Sequence, residues 1–300
     1  MRIRHLRYFM AVAEELNFTR ASVRVHIEPS SLSHAVHEME SQLGVRLINR
    51  TQGSLQLTWP GEVLLEETRR MLSFFENAQS RVQAASQGLC GRIRLGLADS
   101  LAQPPLTRLL ARSREEDPGT EIRIMEMTTS EMLRALHHDQ IDIGITLDDE
   151  RQNGYIKYKV WSERPAVVIP THHPLLSVRT VALQNAIQNR LILCHPEKCS
   201  GGYKVISRWF SSKNLPLPDI AEYVSGHEQM IMLVAAGYGI GIGLASQLAL
   251  YAHPDVIVRP MQDDVPDTST FFVLLERDPE PAIARFLHRA GEMNHFSQSQ

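Results

Sequence analysis

The segment from His26 to Leu47, HIEPSSLSHAVHEMESQLGVRL, opens a helix on a proline and three serines. Leu32, Ala35, Val36, Met39 and Leu43 recur at helical spacing and form one apolar stripe. Ser30, Ser33, His34 and His37 follow a 3-1-3 spacing on the opposite side, which leaves that face small and polar at its leading end. Pro29 suits the first helical position, and Gly44 ends the helix. A DNA major groove admits a helix whose side chains are short and can donate or accept at base edges. The free N–H groups and positive dipole end of such a helix also favour phosphate. A capping cluster on an exposed helix would explain the serines alone, so the neighbouring elements decide.

Upstream, Leu6, Phe9, Met10 and Ala13 mark one face of a first helix. Asn17-Phe18-Thr19 interrupts it, and Thr19 is the expected cap of a short second helix with Ala21 and Val25 inward and Arg20 and Arg24 outward. Downstream, Leu47–Arg50 and Ser54–Leu57 flank Thr51-Gln52-Gly53, the pattern of a hairpin with a turn glycine. Three helices and a hairpin predict a winged helix-turn-helix over residues 1–58.

Charge agrees with that placement. The 300 residues carry a net charge of −3, yet in the first 58 seven arginines outnumber five glutamates, and four histidines accompany them. A basic head on an acidic remainder assigns nucleic-acid contact to the N-terminus. With 43% hydrophobic residues the chain can bury ordinary cores. No apolar run reaches a membrane span, and Glu14 and Glu15 interrupt anything resembling a signal peptide. Three cysteines, Cys90, Cys194 and Cys199, read as reduced thiols, so a cytoplasmic location is expected.

From Thr58 to about Gln87 the pattern is one long helix. Leu64, Met71, Ala78 and Ala85 are seven apart, as are Thr68, Phe75 and Val82, which predicts a two-stranded seam and a linker/dimerisation helix over 59–89. A helix packed on its own domain is the other reading. Beyond Gly88, strands alternate with helices. Ile93–Leu97, a helix at Leu106–Arg114, Glu121–Met127, a helix at Met132–His138 with a Thr128–Glu131 capping box, and Ile141–Leu147 make a βαβαβ unit. Ala166–Pro170, Leu191–His195 and helices at Tyr203–Ser212 and His227–Ala236 make a second set, and Thr270–Leu275 with a final helix near 282–293 could return to the first sheet. The fold class expected is α/β behind an all-α winged head.

LRYFMAVAEELNFTRASVRVHIEPSSLSHAVHEMESQLGVRLINRT and LQLTWPGEVLL, between Leu6 and Leu65, closely resemble the N-terminal domain of LysR-type transcriptional regulators. HHPL at 172–175 and LVAAGYGIGI at 233–242 extend the resemblance, with aromatic-catabolism regulators as the nearest subgroup. The resemblance implies DNA contacts by Pro29, Ser30, Ser31, Ser33 and His34 and by Arg50 and Thr51 of the wing; His37, on the same face of the helix, and Arg20, on the outer side of the second helix, are expected to join them. Glu28, His34 and Ala35 depart from many relatives, which bears on base preference. The resemblance also implies two Rossmann-like subdomains of periplasmic-binding-protein type across 90–300, one of 90–161 and 268–300, the other of 162–267. An effector site between them would draw on Ser100, Thr129, Leu147, Cys199, Ser200, Gly201, Gly202 and Tyr203, each of which could equally be a helix cap or a packing residue. Acid-sensing relatives carry an arginine where this chain has Leu147, which argues against a dicarboxylate.

The implied partners are double-stranded DNA with an interrupted inverted repeat, a small-molecule effector, RNA polymerase, and further copies of the chain as homodimer or homotetramer. The implied role is an activator of a nearby operon. No cofactor or metal is expected: His137-His138, His172-His173 and His195 lack ligand spacing, and Gly237, Gly239, Gly241 and Gly243 are no phosphate loop. Cys194 and Cys199 lack a flanking arginine that would make a reactive thiol. The alternative, a solute-binding protein or enzyme with an accessory helical head, lacks both a secretion signal and a nucleophile or acid–base constellation.

Overall fold

The computed structural model describes residues 1–51, 54–86, 91–101, 103–216, 218–262 and 265–297, without the side chains of 50, 51, 54, 80, 81, 84, 85 and 294–297. The chain forms two compact units, Met1–Gln83 and Ala84–Gln300.

The first unit begins with helices α1 (Ile3–Glu15), α2 (Phe18–Val25) and α3 (Pro29–Leu43). Hairpin strands β1 (Ile48–Thr51) and β2 (Ser54–Leu57) follow, then the long helix α4 (Trp59–Ser86). Its core gathers Leu6, Phe9, Val12, Ala21, Leu32 and Met39 with Leu47 and, from α4, Leu65 and Leu72. Asn17, rather than Thr19, caps α2: Phe18 is already helical, so the Asn17 carboxamide accepts the Arg20 N–H at 3.0 Å. Gly44 closes α3 at φ 70°, a left-handed conformation that glycine adopts without a Cβ penalty.

Along helix α4 the expected seam positions divide between the head's own core and the free surface. Thr68 is fully buried and Phe75 half-buried, whereas Met71 is 42% exposed and Phe74 and Val82 are each 72% exposed. Leu65 and Leu72 turn one face of α4 into the head's own core, so the free apolar stripe is rotated toward Phe74.

The second unit contains two five-stranded sheets. The first has the order β4-β3-β5-β12-β6 and is built from β3 (Gly91–Leu97), helix α5 (Pro104–Glu116), β4 (Thr120–Glu126), helix α6 (Thr129–His137), β5 (Ile143–Thr146) and β6 (Tyr155–Glu163). The chain then passes into the second sheet, order β11-β7-β10-β8-β9, through β7 (Pro165–Pro170), the short helix α7 (Leu183–Ala186), β8 (Leu191–Cys194), helix α8 (Ser200–Ser212) and β9 (Ile220–Val224). Helix α9 (His227–Ala235), β10 (Ile240–Leu244), the short helix α10 (Ala245–Ala249) and β11 (Val256–Pro260) complete it. Strand β12 (Thr268–Leu275) returns antiparallel between β5 and β6, and helix α11 (Pro281–Ser297) covers the first sheet. Each sheet therefore holds four strands that run one way and one reversed strand, β12 in the first and β7 in the second, and the chain crosses between sheets twice. Because β6 runs to Glu163, the first crossing lies at Arg164, three residues beyond the expected division at 161.

Capping and close packing place these elements. Thr128 accepts the Glu131 N–H while the Glu131 side chain accepts the Thr128 N–H, the reciprocal box predicted for α6. Strand β5 starts at Ile143 rather than Ile141 because the Asp142 carboxylate is taken by Arg94, at 2.7 Å from its backbone N–H and 2.6 Å from its guanidinium.

Candidate nucleic-acid interface and ligand cleft

On α3, Pro29, Ser30, Ser31, His34 and His37 are exposed and Ser33 is half-buried, while Leu32, Ala35, Val36 and Met39 are buried. The sequence thus builds a helix with one face in the core and a short polar face free at its leading end. Glu28 occupies the N-cap without a side-chain capping bond, and Pro29 follows at the first position. The two basic residues of α2 are held against the end of α1. Arg20 donates to the Glu15 carbonyl at 2.6 Å and lies 3.4 Å from its carboxylate; Arg24 lies 2.8 Å from Glu14. These pairs are solvent-exposed, and such pairs contribute little, so a phosphate can replace Glu15 as the partner of Arg20 at small cost. Arg50 and Thr51 fall in β1, with side chains outside the described residues.

In the second unit three of the predicted ligand residues, Leu147, Gly201 and Gly202, donate with Thr146 to one carboxylate that the sequence reading passed over. Asp99, two residues past β3, is buried, and its Oδ1 accepts the N–H groups of Gly201 at 2.8 Å and Gly202 at 3.3 Å. Its Oδ2 accepts the Thr146 hydroxyl at 2.8 Å and the Leu147 N–H at 3.1 Å. Burial pushes this carboxyl above its ordinary range, and the four donors oppose that shift. The signal in the sequence was a charged residue directly after a parallel strand, where ligands of open α/β sheets bind.

Ser100 lies beside it. Its Oγ is 3.0 Å from the Ser225 carbonyl and 3.2 Å from Glu126, and its own carbonyl accepts the Gln247 side chain at 2.9 Å. Cys199 caps α8 from the other sheet and donates its thiol to the same Ser225 carbonyl at 3.0 Å. Ser200 is the first, half-buried residue of α8, and Tyr203 meets Tyr223 edge-on with centroids 6.1 Å apart. Thr129 is the first residue of α6, and its hydroxyl is buried with no hydrogen-bond partner among the described residues. Leu147 differs from expectation: its side chain packs in the first sheet's core, and only its N–H serves Asp99.

Outside this centre, α8 meets the loop after β5 through ion pairs. Lys204 reaches Asp148 at 3.1 Å and Glu150 at 2.6 Å, and Arg208 reaches Asp149 at 2.7 Å. Burial pushes the Cys199 thiol up to about 11 and raises Cys194 as well, so both are protonated, weak nucleophiles at neutral pH.

Residues 3–62 match the family described as bacterial regulatory helix-turn-helix protein, lysR family, and residues 86–294 match the LysR substrate binding domain. Among relatives, the HTH-type transcriptional regulator XapR of Escherichia coli (strain K12) is 28% identical over 94% of this chain and 95% of its own. The Hca operon transcriptional activator HcaR of the same organism is 25% identical over 96% of each. The full-length structure of CbnR complexed with its target DNA superposes with a TM-score of 0.75 at 23% identity, covering 97% of this chain and 99% of that one. The chain belongs to the LysR family of DNA-binding transcriptional regulators, with an effector-binding domain behind its helix-turn-helix head.

Proposed function

We propose that this regulator is a cytoplasmic homodimer or homotetramer that reads an interrupted inverted repeat and activates a nearby operon when a small organic effector enters its cleft. The observation that carries the DNA half is the free face of α3, where Pro29, Ser30, Ser31 and His34 stand exposed above a buried stripe. Small side chains there let the helix backbone approach base edges, and His34 and His37 reach further along the groove. Arg20, Arg50 and Thr51 are assigned to phosphate, and Ser33 to the edge of the contact.

The cleft half is supported by the convergence of Ser100, Cys199, Gly201 and Gly202, drawn from both sheets onto shared partners. An effector binding there shifts the two subdomains only by its differential affinity for their arrangements. Phe74, Met71 and Val82 supply an exposed apolar stripe for pairing two α4 helices. The activating role, with RNA polymerase as partner, is supported by likeness to relatives such as the activator HcaR. Among the described residues no helix is long and apolar enough to cross a membrane. Footprinting on the chain's own upstream DNA, with and without a panel of small organic molecules, tests this reading. Protection of two half-sites whose pattern shifts with one compound is the expected result; no protected site would refute it.

A further inference from the structure

The donors around Asp99 are those that hold an anionic ligand elsewhere: two N–H groups of a helix's first turn, a strand-end N–H and a hydroxyl. They come from both halves of the second unit, Gly201 and Gly202 from α8 and Thr146 and Leu147 from the end of β5. The group they hold belongs to the chain. Asp99 and Ser100 have φ of 59° and 53°, two successive left-handed residues without glycine, and such strain persists where the surroundings demand it. Here it turns the Asp99 carboxylate across toward α8. Gly201 is fitted to it, since a Cβ there would stand 2.3 Å from Oδ2.

A second acid lies alongside, because Glu126 is within 3.2 Å of the Ser100 hydroxyl. An organic anion entering this cleft would find its amide donors already used and two carboxylates nearby. We propose that Asp99 is a built-in occupant of the cleft's anion position, so that the effector is a neutral or cationic molecule donating hydrogen bonds rather than an organic acid. This inference rests on the effector reading above and names the class of molecule for that same site.

Asp99→Ala removes the occupant and leaves four donors facing one space. The test compares the full-length wild type and this variant by thermal shift and calorimetry in sodium acetate and sodium benzoate, against sodium chloride at equal ionic strength. The wild type should show no carboxylate-specific stabilisation. The variant should melt lower and recover with acetate, binding it at least about tenfold more tightly than wild type does. Should Asp99→Ala fail to fold, refolding from denaturant in acetate is expected to recover it, and failure to do so overturns the proposal. Carboxylate binding by wild type as tight as by the variant overturns it too. Asp99→Asn, isosteric but with an amide group against the donors, should fold and bind no carboxylate; uptake of acetate by it would show the anion position lies elsewhere. The upstream footprint separates the two readings. A wild-type footprint shifted by an organic acid overturns the Asp99 assignment and leaves the effector cleft standing. A footprint that no compound shifts, beside acetate uptake by Asp99→Ala, overturns the effector reading and leaves the anion position assigned.

Discussion

The Glu40 carboxylate of α3 accepts the backbone N–H of Leu47 at 2.8 Å, and the same oxygen takes that of Ile48 at 3.1 Å. The helix proposed to face DNA and the first strand of the hairpin are thus fixed to each other by one side chain. Glu40→Ala should cost about 1–3 kcal/mol in urea unfolding, because two half-buried N–H groups lose a charged acceptor. Glu40→Gln keeps an acceptor oxygen and should lose less. Operator affinity should fall in the same order, measured by gel shift; a wild-type stability for Glu40→Ala would show that the wing is held otherwise.

Ser30 stands exposed at the leading end of the same helix, where only short side chains fit a groove. Ser30→Glu should abolish specific operator binding while leaving the circular dichroism spectrum and melting point near wild type. Arg50→Ala should instead weaken all sequences alike and lower the salt slope by about one counterion. Normal operator binding by Ser30→Glu would misplace the reading face.

The head was legible because its signals are local: Pro29, Gly44 and the Leu32–Val36–Met39 stripe each act within a turn or two. The parallel core strands β3, β5 and β8 were legible as short apolar runs. Strands β6, β9 and β11 were not, since polar residues such as Lys157, Glu222 and Arg259 interrupt their apolar runs. Which apolar positions of α4 stay free was not legible for a related reason. Heptad spacing finds apolar positions but does not say which of them, Leu65 or Phe74, the chain's own core will claim. At the cleft, Ser100, Gly201 and Gly202 could be placed from strand and helix ends. Asp99 follows a strand end in the same way, but its role was not legible, because it depends on donors 47 to 103 residues away in sequence.

Phe74 is 72% exposed on α4, with Met71 one turn away. If this stripe pairs two chains, Phe74→Glu should lower the sedimenting mass and weaken operator binding, since one chain then holds one half-site. Thr68→Ala, at a fully buried position, should leave the assembly unchanged. An unchanged mass for Phe74→Glu would move the pairing surface off this helix.

His227 begins α9 and is buried, with its imidazole close to Gly243. Burial lowers its pKa from 6.5 to about 4, so it is neutral in the folded protein. The unfolded chain binds a proton near pH 6.5 and the folded one does not until near pH 4. Stability from this group is therefore complete above pH 6.5 and declines as pH falls toward 4. The loss amounts to about 3 kcal/mol at one proton across that window. His227→Gln should flatten the acid limb of a urea-midpoint profile between those values. A limb as steep as wild type would assign the acid sensitivity to another group.

Gly201 is a position of close approach between the two halves of the second unit, with its N–H 2.8 Å from Asp99 Oδ1. A Cβ on it would lie 2.3 Å from Asp99 Oδ2 and 2.9 Å from the Asp148 backbone nitrogen. The first obstacle is a side chain, but the second is backbone, so α8 must retreat. Retreat would lengthen the Gly201 and Gly202 bonds to Asp99 and draw Lys204 from Asp148. Gly201→Ala should therefore destabilise the second unit by about 1–3 kcal/mol through overpacking and shift the effector response. Gly202→Ala meets chiefly the Cys194 Sγ at 3.1 Å and should be milder. Combined with Asp99→Ala, Gly201→Ala should cost less than alone, because one of its two obstacles is gone and the bonds it would break are already absent. Denaturant midpoints for the two single variants and the double variant give the coupling directly. Strict additivity would mean that Asp99 and Gly201 do not share the space the structure assigns them.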